Sequence, residues 1–186
     1  DVITEFRGRG DEVRIHPLSF GEFMSVWQGG QFIEQALNEY LEFGGLPKVV
    51  AIEQIVDKKE YLHNLFTHTY LKDIKERYSI QLDADLEELI DVIASNIGGL
   101  TNPLKLHNTF KTQKKSPISQ DTIKKYLEYM QDAFLIDRAV RYDIKGRKYI
   151  DTPCKYYFED LGLRNARLNF RQTEQTHLME NLIYNE

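Results

Sequence analysis

Six apolar residues between positions 86 and 97 constrain this chain more than any other feature. Leu86, Leu89, Ile90, Ile93, Ala94 and Ile97 recur at i, i+3, i+4, i+7, i+8 and i+11, the spacing of a helix with one buried stripe. A stripe of that width demands partners, and the following residues supply them. Residues 102–112 read as a shorter helix with Pro103 in its first turn. Ser119 is placed to cap a third helix whose stripe is Ile123, Leu127, Met130 and Phe134. Ile118 and Ile123 occupy the two positions of a hydrophobic staple around that cap.

Three strand-like stretches follow, at 138–143, 147–150 and 155–158. Lys145-Gly146 reads as the turn between the first two, and Asp151-Thr152-Pro153 as the turn between the last two. Three helices followed by a basic hairpin is the order of a winged helix-turn-helix. Upstream, residues 12–16 alternate as a short strand does, and Pro17 ends it. Ser19 can cap a helix through Phe23, Met24 and Trp27, which Gly29-Gly30 stops. Gln31 to Phe43 reads as a second helix, Gly44-Gly45-Leu46-Pro47 as a turn. Glu53 to Tyr78 reads as helix with a break near Thr67–Thr69. The expected fold class is mainly α with a small β component.

Composition narrows what the chain can do. Of 186 residues, 41% are hydrophobic and 12% aromatic, which excludes a disordered polar tail. No apolar run reaches the ~18 residues of a membrane span. The single Cys154 excludes an internal disulfide and any multi-cysteine zinc site, and suits a reducing, cytoplasmic setting. The net charge of -5 conceals an asymmetry. Residues 101–155 hold twelve Lys and Arg against six acids, whereas the other residues hold twelve bases against 23 acids. A basic segment in an acidic chain is a face for a polyanion or a merely solvated face.

In a winged helix, the third helix enters the major groove and the hairpin touches phosphates. The candidate nucleic-acid contacts are therefore Gln120, Lys124 and Lys125 on the helix, and Arg141, Lys145, Arg147 and Lys148 on the wing. Asp121 and Glu128 on the same helix would repel phosphate. That mixture leaves protein docking as the alternative to duplex DNA binding.

Self-contained catalysis finds no support. No G-x-x-x-x-G-K-[ST] stretch is present, so no phosphate-cradling P-loop is expected. The five histidines show no H-E-x-x-H spacing, and His63 and His68 are five apart, awkward for one helical face. Acids such as Asp83, Asp85, Glu87 and Glu88 are accounted for as first-turn charges that complement a helix dipole. No metal site is expected.

Several short stretches together resemble the proteins of one group. The residues from Gly8 to Phe23, with Pro17-Leu18-Ser19-Phe20-Gly21-Glu22-Phe23 at their end, resemble that group's segment around its last core strand. Tyr40-Leu41-Glu42-Phe43-Gly44-Gly45-Leu46-Pro47 resembles its glycine turn, and Thr69-Tyr70-Leu71-Lys72-Asp73-Ile74 one of its helices. Lys155-Tyr156-Tyr157-Phe158-Glu159-Asp160-Leu161-Gly162-Leu163-Arg164-Asn165 resembles the stretch that closes its winged helix. The group so resembled is a prokaryotic set of AAA-superfamily P-loop ATPases.

The resemblance implies a C-terminal piece of a longer protein, without the nucleotide-binding core. Residues 1–16 would be the last core strand, 17–82 a helical lid with linker helices, 83–165 the winged-helix domain, and 166–186 the start of a truncated nuclease-like domain. Arg9, or else Arg7, would stand where an arginine finger neutralises a neighbouring γ-phosphate. Glu180 would match an acidic position of the nuclease-like fold. The piece itself would need no cofactor and be inactive alone, with ATP and Mg²⁺ bound by the parent. Its partners would be duplex DNA, the absent ATPase core, and other copies of itself in a homo-oligomer, with no membrane contact.

Overall fold

The computed structural model describes residues 13–30, 32–80, 83–114, 118–146, 148–171 and 175–186. Among them the chain is mainly helical, with one two-stranded antiparallel sheet. The helices are α1 (Phe20–Val26), α2 (Ile33–Phe43), α3 (Pro47–Val50), α4 (Ile55–Leu65), α5 (Lys72–Arg77), α6 (Asp83–Ser95), α7 (Pro103–Thr109) and α8 (Gln120–Asp132). The hairpin of β1 (Ile136–Asp143) and β2 (Lys148–Phe158) comes next, then α9 (Leu161–Arg167) and α10 (Gln175–Asn185).

The α6 stripe is the centre of the downstream core. Leu86, Leu89, Ile90, Ile93, Ala94 and Ile97 are all buried. They share that core with Leu106 of α7 and Phe110 just past its end, Ile123, Tyr126, Leu127 and Met130 of α8, and Ile136 and Phe158 of the hairpin. Ser119 caps α8 as its position predicts, accepting from the Thr122 N–H at 3.0 Å, and both staple residues, Ile118 and Ile123, are buried. Phe134 departs from the expected stripe. It lies past the end of α8 with φ 54° and is 45% exposed.

Three other expectations change in the fold. The break near Thr67–Thr69 is a π-helical turn, Phe66–Leu71, that carries α4 into α5; π turns widen a helix without ending it. The three strand-like stretches are two strands, because Asp151, Thr152 and Pro153 lie inside β2. Pro153 is accommodated where the ladder is irregular: pairing jumps from Ala139↔Lys155 to Arg141↔Ile150, and a proline without an N–H fits such a gap. Cys154 leaves β1 there and pairs with Thr101, N–H to carbonyl at 2.9 Å in both directions. Finally, residues 13–16 are exposed and belong to no strand.

The upstream helices join this core through α9. Residues 161–166 are all buried, and α9 touches α2, α4 and α6. Its polar side chains finish other helices. Asn165 Nδ2 donates to the Leu41 and Glu42 carbonyls at 2.8 and 2.9 Å, at the end of α2. Arg164 Nε donates to the Ala94 carbonyl at 2.9 Å, at the end of α6, and Nη1 to Asn165 Oδ1 at 2.9 Å. Terminal carbonyls lack partners within their own helix, so these side chains satisfy groups that burial would otherwise orphan. Desolvation pushes the Arg164 guanidinium down to about 10, still charged at neutral pH.

Asp160 caps α9 and ties it to the glycine turn. One carboxylate oxygen accepts from the Leu163 N–H at 3.0 Å and the other from the Gly45 N–H at 2.8 Å. Burial pushes this carboxyl up to about 6, while the N–H groups of Leu163, Gly45, Gly162 and Leu46 restrain the rise. The turn and the helix approach so closely that a Cβ on Gly162 would stand 2.1 Å from the Phe43 carbonyl oxygen. Gly44, at φ 75°, faces the Asp160 carboxylate in the same way.

Two outcomes are expected. Gly162→Ala forces backbone apart and should cost about 2–4 kcal/mol of unfolding free energy, seen as a lower urea midpoint. The Asp160 effect has a defined sign. Its folded value exceeds the ordinary 3.8, so the folded state holds the proton more tightly. Stability from this group is full below about pH 4 and is lost as pH rises through about 6. Between pH 5 and 7.5 it should fall by about 1–2 kcal/mol in urea titrations. Asp160→Asn should remove that component, and should lower stability throughout because an amide N–H would face a backbone donor.

Candidate nucleic-acid interface

The α8 helix and the hairpin form a cleft of about 350 Å³. Gln120, Lys124, Glu128 and Gln131 line it from α8, recurring at the spacing that borders the buried stripe. Arg138 of β1, Cys154 and Tyr156 of β2, and Pro103 of α7 close it. Two cations, Lys124 and Arg138, therefore meet beside one acid, Glu128. Desolvation raises the Tyr156 phenol, Cys154 and Glu128 add to the rise and Arg138 opposes it.

The proposed contacts divide between this cleft and the exposed surface around it. Gln120 and Lys124 line the cleft and are exposed, while Lys125 is exposed on α8 without lining it. Arg141 and Lys145 are exposed near the distal end of the hairpin. Lys148 pairs in register with Asp143. Arg147, and with it Arg7 and Arg9, lies outside the described residues. Arg138 belongs to the basic segment but its role was not legible in sequence, because only the pairing of β1 with β2 aims it at α8.

The acids of α8 differ in their engagement. Asp132 accepts from the Tyr78 hydroxyl at 2.9 Å, and Tyr78 stacks on Tyr129 with ring centroids 3.6 Å apart. This clamp holds the outer side of α8 against the end of α5. Asp121 stays exposed in the first turn of α8, where it complements the helix dipole.

Other chemistry-bearing residues serve the fold. Glu180 accepts from the Lys155 ammonium and, at 2.7 Å, from the Tyr157 hydroxyl. Those bonds, Lys155 first, hold its carboxyl below the usual range and fasten α10 to β2. Asn181 exchanges bonds of 2.8 Å with both the N–H and the carbonyl of Phe158. His107 Nδ1 lies 2.9 Å from the Ile118 carbonyl. Among the described residues no group of three or more His, Cys, Asp or Glu could hold a metal ion, and no helix is long and apolar enough to cross a membrane.

A larger cavity of about 760 Å³ lies upstream, where Trp27, Val50 and Ile52 face the Glu39–Lys58 ion pair. Trp27 Nε1 donates to Glu39 at 2.8 Å, and Lys58 is 4% exposed. Nothing in the local sequence marked Lys58 for burial; it is buried because the ends of α1, α2 and α4 converge.

Residues 34–174 match the family described as Domain of unknown function (DUF8612). The chain belongs to that family. The family region runs from α2 to just beyond α9, so it includes the glycine turn, the cleft and the α9 junction. An uncharacterized protein of Haemophilus influenzae is 34% identical over the whole of this chain and 47% of its own length. An uncharacterized protein of Methanocaldococcus jannaschii is 30% identical over the whole chain and 43% of its own length. The chain thus spans about half the length of the curated relatives it matches. No solved structure matches it.

The cleft leads to one expectation about its floor. Cys154 is only 1% exposed, so a water-soluble aromatic disulfide reagent should label it slowly in buffer. Labelling should reach the rate of a free thiol once urea unfolds the chain, a contrast of at least about a hundredfold.

Proposed function

We propose that residues 83–165 form a winged-helix module that binds duplex DNA without sequence preference, within the C-terminal region of an AAA-type ATPase. The observation that carries the reading is the convergence of Lys124 and Arg138 in one cleft between α8 and the hairpin. Exposed Lys125, Arg141 and Lys145 extend the cationic surface around it. The element order supports the same reading: α6, the Thr101 bridge to Cys154, α7, α8, then β1 and β2. In this scheme α8 faces the major groove and the hairpin lies along phosphates.

This chain would act by positioning rather than by chemistry. It contains no P-loop, so ATP and Mg²⁺ are assigned to the remainder of the whole protein, and no residue here is given a step in hydrolysis. A second reading, a module that docks on protein, is favoured by Asp121 and Glu128 on the exposed part of α8. The two readings part on electrostatics, because counterion release gives DNA binding a steep dependence on salt and protein docking has no such term.

The test is fluorescence anisotropy with a random-sequence duplex across a salt series. Binding should weaken as salt rises, and replacing Arg141 and Lys145 by Ser should lower the log–log slope by about 0.9 for each phosphate that is no longer neutralised. Glu128→Gln should strengthen binding by removing a repulsive charge. Absence of binding, or binding indifferent to salt, refutes the DNA reading and leaves the docking module.

A further inference from the structure

We propose that the hairpin tip is an apolar wedge that enters the minor groove of duplex DNA, with Ile144 as the inserting side chain. This inference rests on the DNA-binding function proposed for residues 83–165 and names how the hairpin would engage the duplex.

The tip has a composition that folding does not explain. Ile144 is 81% exposed and Tyr142, two residues earlier, is 49% exposed. Tyr142 is the penultimate residue of β1 and Ile144 the first residue of the turn beyond it, so both belong to the distal end of the hairpin. Lys145 N–H donates to Asp143 Oδ1 at 3.1 Å, an Asx-type turn that bends the chain at Ile144. Turns of this kind take small polar residues readily. An isoleucine there buries almost nothing and keeps its apolar surface in water.

The hairpin carries this tip away from the core. Successive residues Arg141 and Tyr142 point to opposite faces, and both are exposed. Among the described residues of the distal ladder, both faces of β1 thus carry a solvent-exposed side chain. The register irregularity between Ala139 and Arg141 separates that ladder from the basal one, which Leu135, Ile136 and Phe158 anchor in the core.

Charge decides the partner. Arg141 and Lys145 flank the apolar residue and are exposed, and the hairpin springs from the cleft that holds Lys124 and Arg138. Wedges that part base steps need one apolar side chain between cations that hold the phosphates, and they kink the duplex by about 20–90°. A bilayer would demand more apolar area than one isoleucine and one tyrosine supply.

The experiment compares the wild-type chain with Ile144→Ser and Ile144→Leu, using a short A·T-centred duplex labelled at both ends. Anisotropy reads affinity and energy transfer between the ends reads bending. Because Ile144 is exposed, neither substitution disturbs the core. Ile144→Ser should bind about tenfold more weakly at every salt concentration, with an unchanged salt slope, and should lose the bend, while Ile144→Leu keeps both. If Ile144→Ser binds and bends DNA as the wild type does, the wedge is wrong and the DNA reading stands. If the wild type binds no DNA, both fall. Retention on phosphatidylglycerol vesicles that Ile144→Ser abolishes, without an effect on DNA, assigns the tip to a membrane and overturns the proposal.

Discussion

The buried Arg164–Asn165 pair is the contact on which the two ends of this chain depend. A helix end packed into a core carries carbonyls that water can no longer reach. Here α2 and α6 end against α9, and the side chains of Asn165 and Arg164 supply the missing donors at the Leu41, Glu42 and Ala94 carbonyls. An apolar pair of the same volume would leave those oxygens unsatisfied, at about 1–3 kcal/mol each. Among the described residues, no buried side-chain nitrogen or oxygen lacks a partner. The junction is therefore a closed polar network inside an apolar core, and such networks fix geometry more strictly than apolar packing alone.

Asp160 extends that network to the glycine turn. Its carboxylate must sit where it can accept from both Gly45 and Leu163, so Gly44 and Gly162 have no room for side chains. One buried carboxylate thus sets the approach of the upstream helices to the hairpin unit. Arg167 strengthens the same joint from α9, with bonds of 2.6 and 2.9 Å to Asp91 and a contact at 3.3 Å to Glu87 of α6. On this rigid base, β2 runs directly into α9. The orientation of the hairpin, and with it the position of the cationic tip, is inherited from the junction.

Local patterns made much of this legible in the sequence. The stripe from Leu86 to Ile97, the Ser119 cap and the staple of Ile118 and Ile123 depend on neighbours within a few turns, and each takes the form its spacing predicts. Asp151-Thr152-Pro153 read as a turn because its composition favours one, yet it lies within β2. The long-range pairing of Cys154 with Thr101 outweighs that local preference. For the site, the sequence identified a basic segment and its exposed lysines and arginines. It did not single out Arg138, or the buried Lys58–Glu39 pair, because each owes its role to an element distant in the chain.

The sequence by itself determined the mainly helical class, the three-helix order and the basic hairpin, since each follows from period, cap chemistry or residue content. Only the tertiary structure decided that Asp160, Arg164 and Asn165 are structural keystones rather than exposed polar residues. It alone brought Lys124 and Arg138 into one cleft and left Ile144 in solvent. The physical reason is that burial and pairing are properties of surfaces brought together, and the sum of local propensities does not contain them.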